Sequence, residues 1–129
     1  MKSLKEYMGK NADIKDFVTS LFTARQTIHA LHLQTKSYSE HVALNDFYEG
    51  ILTLTDEFVE VYQGEYGILQ GYTVENIKTE SALSYLQNFV ESLKSAHALI
   101  KEEDTHLDNI VDEMTSLTYK TIYKLKNLK

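Results

Sequence analysis

Histidines and carboxylates are the side chains of this sequence best able to do chemistry, and the chemistry they suit is metal binding. His29, His32 and His41 fall within thirteen consecutive positions, and Asp56 and Glu60 follow fifteen and nineteen positions after His41. Residues four apart on a helix lie about 40° from each other and one turn along, so Asp56 and Glu60 can touch one ion. The same spacing also describes an ordinary solvated acidic pair, and the histidines equally suit the partly buried end of a helical hairpin. Fifteen helical residues span ~22 Å, so no ion inside one subunit bridges His41 and Asp56. An ion shared by them needs a second copy, its helix running antiparallel across a two-fold axis. Glu103 and His106 form a further pair with ExxH spacing. That pair straddles an expected turn, where Asp104 or Thr105 caps the next helix, and is read as part of the turn rather than as a site. His97 is expected to be a partly buried or surface residue. With no Cys in the chain, disulfides, thiolate zinc sites and thiol nucleophiles are excluded.

The elements that must position these groups are helices. A chain of 129 residues, 43% hydrophobic, has room for one domain, taken as 1–129, and is too short for two. Five Gly and no Pro supply few turns, which argues against sandwiches and barrels. Apolar residues recur at helical spacing in four stretches. The first, about 12–34, carries Phe17, Leu21, Ile28 and Leu31; the second, about 40–63, carries Leu44, Phe47, Ile51, Phe58 and Val59 or Tyr62. The third, about 79–101, carries Ala82, Leu86, Phe89, Leu93, Ala96 and Ile100. The fourth, about 105–128, carries Leu107, Ile110 or Val111, Met114, Leu117, Thr121, Leu125 and Leu128. Ser37 or Ser39 is placed to cap the second helix, and Gly64 to end it. Short links join the first helix to the second and the third to the fourth, which makes antiparallel neighbours. The link from Gly64 to about Lys78, with a helical turn expected at 74–77, reaches roughly 50 Å if extended, enough to cross the length of the bundle.

A formal charge of -6 argues against a general nucleic-acid binder. Lys2, Lys5 and Lys10, or Lys120, Lys124, Lys126 and Lys129, offer DNA a local electrostatic contact. The C-terminal lysines also complement a helix dipole. No apolar run has the length of a signal peptide or a membrane span, so a soluble, cytoplasmic chain is expected, with no membrane partner.

The stretch His32-Leu33-Gln34-Thr35-Lys36-Ser37 with Tyr38, followed by His41, Asp56 and Glu60, resembles the starvation-induced miniferritins, or Dps-like proteins. Their pattern closes the first helix with a His, opens the second with another, and adds an Asp fifteen positions later and a Glu four beyond. QGEYG at 63–67 and YKTIYKLKNL near the C-terminus extend the similarity. Twelve residues usually separate the two family histidines. His32 and His41 are nine apart and His29 and His41 twelve, so either His29 or His32 can fill the first position. The Arg that commonly follows the family's Glu is Val61 here. The resemblance implies an all-α, ferritin-like four-helix bundle with one long crossover between the second and third helices. It implies a homo-oligomer, with a dimer as the minimal unit and a dodecamer as one form, and iron as the metal. His32 and His41 of one subunit would bind it together with Asp56 and Glu60 of another, and mixed imidazole and carboxylate ligands suit ferrous iron. The expected activity is a ferroxidase that oxidises and sequesters iron. The same stretch is similar to short ferritin-like proteins of tailed phages, which would put the chain in the host cytoplasm or the virion. The competing expectation is a non-enzymatic oligomeric bundle with a vestigial metal site; a third is a small-ligand binder using Tyr38, Tyr48, Tyr62 and Tyr66.

Overall fold

A computed structural model describes residues 13–77 and 80–129. The protein is all-α: α1 (Ile14–Gln34), α2 (Tyr38–Tyr66), α3 (Ala82–Ala96) and α4 (Thr105–Asn127), with no strand among the described residues. A 3₁₀ turn, His97–Leu99, follows α3.

Local chemistry explains where the helices begin. The Asp13 carboxylate accepts from the Asp16 amide and the Asp16 carboxylate from the Asp13 amide, both at 3.0 Å. This reciprocal box satisfies two amide donors at the start of α1. Of the two serines that could cap α2, Ser37 does so, its hydroxyl accepting from the Glu40 amide at 3.3 Å. Ser81 does the same for α3, accepting from the Ser84 amide at 3.0 Å.

Several ends differ from the sequence expectation. Helix α2 runs through Gly64 and stops at Gly67, whose φ of 98° is the conformation that favours glycine. Gly64 stays helical because one glycine costs a helix only about 1 kcal/mol, less than a long buried face returns. No helical turn forms at 74–77. The chain there lies along α1 instead: the Thr73 and Thr19 hydroxyls are 3.0 Å apart, the Glu75 amide donates to Thr23 Oγ1 at 3.0 Å, and Tyr72 meets the Phe22 ring. Helix α3 is shorter at both ends than the expected 79–101. It starts only after its Ser81 cap, and Thr79 lies outside the described residues, as do residues 1–12. At its other end His97 reaches across to Asp108 (2.6 Å) and Asp112 (3.2 Å) of α4, which draws the chain out of the helix. Leu128, expected in the apolar stripe of the last helix, lies just past the end of α4 and is 48% exposed.

One core draws on all four helices: Phe17, Leu21 and Ile28 of α1, Leu44, Phe47, Ile51 and Phe58 of α2, Leu86, Phe89 and Leu93 of α3, and Leu107, Val111 and Met114 of α4. Phe17 meets Phe58 edge to face at 5.3 Å, and Phe47 meets Phe89 likewise at 6.1 Å. Each such side chain contributes about 1.5–3 kcal/mol on burial. Gly50 permits the close approach of α2 and α4, since a Cβ there would stand 2.8 Å from Leu117 Cδ2. These two helices run in opposite directions: Ser39 at the start of α2 donates to the Leu128 carbonyl at 3.2 Å, while Glu65 near its end meets His106 at the start of α4. Among the described residues no helix is long and apolar enough to cross a membrane.

Candidate metal centre

The turn between α1 and α2 brings His32 and His41 together. Their rings stack with centroids 3.7 Å apart and planes 20° from parallel. His32 Nδ1 lies 2.7 Å from the His41 carbonyl, and His41 Nδ1 lies 2.9 Å from the His32 carbonyl. A carbonyl only accepts, so each ring carries its proton on Nδ1 and, when neutral, keeps a lone pair on Nε2. Metal-ligating histidines are commonly oriented in this way, by donating the other ring nitrogen's proton to a backbone carbonyl. His32 is buried and His41 half-buried. His29 stands apart from this exchange; it stacks on Tyr48 at 4.3 Å, and its ring is 6.1 Å from that of His32. Tyr48 also meets the edge of His32 and lies under the Arg25 guanidinium.

Asp56 and Glu60 are exposed on α2, about four and five turns beyond His41. The chain thus brings together the two histidines of the four-residue set and leaves its carboxylates at a distance. Along the same side of α2, at helical spacing, Tyr38, Val42 and Leu52 are exposed, at 81%, 39% and 42%.

The opposite end of the molecule holds a group that the sequence reading set aside. Ligand atoms of Glu65, Asp104 and His106 all lie within 4.8 Å of one another. His106 Nε2 is 2.8 Å from Glu65 Oε1, and the Tyr66 hydroxyl donates to Asp104 Oδ2. Asp104 occupies the N-cap position of α4, yet its side chain makes no capping bond, and it is only 3% exposed. The bond from Tyr66 holds the Asp104 carboxyl below the usual carboxylate range against the opposing effect of burial; hydrogen bonding with Glu65 and then the charges of His106 and Lys101 act in the same direction as Tyr66. The same bond pushes the Tyr66 hydroxyl well above its ordinary value. Glu103, the first member of the ExxH pair, is exposed and outside this group. His106 therefore does belong to a cluster, but with Asp104 beside it and Glu65 from another helix. The usable signal was an acidic residue in the last turn of one helix and a histidine in the first turn of a helix packed antiparallel to it.

Of the lysines considered for DNA, Lys124 pairs with Asp46 at 3.5 Å, while Lys120, Lys126 and Lys129 are exposed. Lys2, Lys5 and Lys10 lie outside the described residues.

Residues 32–125, which contain both histidine-bearing ends, match the model of a family of unknown function, DUF5856. The chain belongs to DUF5856. Among curated proteins, this DUF5856 chain is similar to the uncharacterized 14.6 kDa protein in the mobD-ri intergenic region of Enterobacteria phage T4. The two are 27% identical over 119 residues, which cover 91% of each. No solved structure matches.

Proposed function

We propose that this DUF5856 protein is a Dps-like iron-binding protein, a ferritin-like bundle whose metal site is completed by a second copy of the chain. The observation that carries this reading is the His32–His41 pair, with both Nδ1 protons given to carbonyls and both Nε2 lone pairs left over. An antiparallel pairing of two α2 helices centred near Glu49 and Leu52 would set His41 against the partner subunit's Asp56 and the partner subunit's Glu60. The exposed Tyr38, Val42 and Leu52 on that side give such a pairing apolar surface to bury. The course of 72–75 along α1 and the opposite directions of α2 and α4 favour a single crossover between two hairpins, the ferritin-like connection.

In the proposed reaction iron is substrate. Two ferrous ions each give up one electron, and one peroxide takes both and leaves as two hydroxides; oxygen is the alternative oxidant. His32 and His41 anchor the ion, the partner's Glu60 bridges or chelates it, and the partner's Asp56 completes the ligand set. The phage relative supports a place in the host cytoplasm or virion. Ferrous iron mixed with peroxide and purified protein, followed by ferric absorbance, tests the reading. Wild type should oxidise iron faster than buffer, His32→Ala and Glu60→Ala should each lose most of that advantage, and the solution mass should be that of a dimer or a larger shell, up to a dodecamer. A wild-type rate equal to buffer, variants equal to wild type, or a monomeric mass would each sink it.

The reciprocal hydrogen bonds favour one other reading, since they close the α1–α2 turn whether or not an ion is present. In that case the pair is a structural clasp in a non-enzymatic oligomeric bundle, and iron oxidation stays at the buffer rate while His32→Ala lowers stability.

A further inference from the structure

At the end of the molecule away from the histidine pair, a buried carboxylate is aimed away from the helix it could cap. Asp104 is 3% exposed, and its side chain makes no bond to the first amides of α4. Its Oδ2 accepts from Tyr66, and Glu65 and His106 stand within ligand distance of it and of each other. Donor atoms bound at about 2.0–2.2 Å to one ion are separated by up to about 4.4 Å, so atoms within 4.8 Å need only a small closure to share it. Two carboxylates at this range repel, and the positive groups nearby are few. His106 contacts Glu65, and the Lys101 ammonium lies 5.3 Å from the centre of the Tyr66 ring and, among the described residues, pairs with neither carboxylate. A cleft of about 210 Å³, whose lining includes Tyr62, Tyr66, Lys101 and Asp104, opens beside the buried carboxylate, while Glu65 and His106 are exposed on the surface.

We propose that Glu65, Asp104 and His106 form a divalent transition-metal site complete within one chain, which ties the last turn of α2 to the first turn of α4. One imidazole nitrogen and two carboxylates suit Zn²⁺ or Mn²⁺, whereas Ca²⁺ and Mg²⁺ favour oxygen ligands alone. A doubly charged ion also neutralises both carboxylates and takes over the lone pair that His106 Nε2 offers once its proton is lost. Tyr66 positions Asp104 from outside the ligand set. The site needs no second subunit and does not rest on the iron-oxidising reading.

Calorimetric titration of the full chain with Zn²⁺, with Ca²⁺ as the control, tests the site in four proteins: wild type, His106→Gln, Glu65→Gln and the double variant His32→Ala/His41→Ala. His106 and Glu65 are on the surface, so their variants keep the core intact. The expected result is Zn²⁺ binding with an apparent affinity that falls at least about tenfold in His106→Gln and in Glu65→Gln and persists in the double variant. Zn²⁺ should raise the melting temperature of wild type and of the double variant but not of His106→Gln. Wild-type affinity in His106→Gln, loss of all Zn²⁺ binding in the double variant, or Ca²⁺ binding as tightly as Zn²⁺ would each overturn the proposal.

Discussion

The two ends of the molecule use histidine in opposite ways. At the α1–α2 turn, His32 and His41 are held by backbone carbonyls, stack on each other, and have no carboxylate in their group among the described residues. At the other end His106 is held by a carboxylate, with a second, buried carboxylate beside it that borders a cleft. The first arrangement orders the imidazoles but supplies no negative charge to a cation. The second supplies the charge and holds it with only one imidazole. An ion at the first end needs acidic groups brought from elsewhere, and at the second it needs none. On this contrast, only the site proposed at the first end would depend on assembly.

Substitutions can break or sharpen the contrast. The largest effect is expected where one core supports both ends. Phe58 is fully buried against Phe17, and Phe58→Ala should cost about 3–5 kcal/mol of unfolding free energy in a urea titration. Both ends should then loosen together in a single transition; separate transitions would show that the ends are independently stable. A smaller loss, about 1–3 kcal/mol, is expected for His32→Ala, which removes a buried ring and both of its links to His41, the bond to the His41 carbonyl and the ring stack. The smallest is His106→Ala measured with a chelator present. Its pair with Glu65 is half-exposed, and its removal should change stability by less than about 1 kcal/mol. If the metal-free His106→Ala protein were destabilised as much as His32→Ala, the distinction between a backbone-held and a carboxylate-held end would collapse.

The helices were legible because apolar side chains recur with the period of a helix and few residues interrupt them. Phe17, Leu21, Phe47, Phe58, Leu86 and Met114 are all in the core, as their spacing predicts. The ends were less legible, because they turn on small local energies. Gly64 and Gly67 could each end α2, and it is Gly67 that takes the positive φ. The early end of α3 depends on His97 finding Asp108 and Asp112, partners that no periodicity exposes. The sites divide in the same way. His32 and His41 lie either side of one tight turn, so proximity followed from spacing, although the exchange of hydrogen bonds did not. Glu65 is about forty residues from Asp104 and His106, and only the antiparallel packing of α2 on α4 brings them together. Spacing along a single helix reports one face of that helix and says nothing about the neighbour at its end.

The course of residues 72–75 along α1 bears on how the chain folds. Each hairpin closes over a short turn, and its contacts are local in sequence. The contacts between α2 and α4 join residues far apart in sequence, so they close a loop that contains the intervening segment. Loop-closure entropy grows with the logarithm of length, so doubling this segment would add only about 0.6 kcal/mol to that step. The two hydroxyl contacts with Thr19 and Thr23 hold the segment to α1 without a regular ladder of backbone bonds. Lengthening the strap with flexible residues should therefore cost little stability, whereas breaking its two contacts with α1 would free it from that helix.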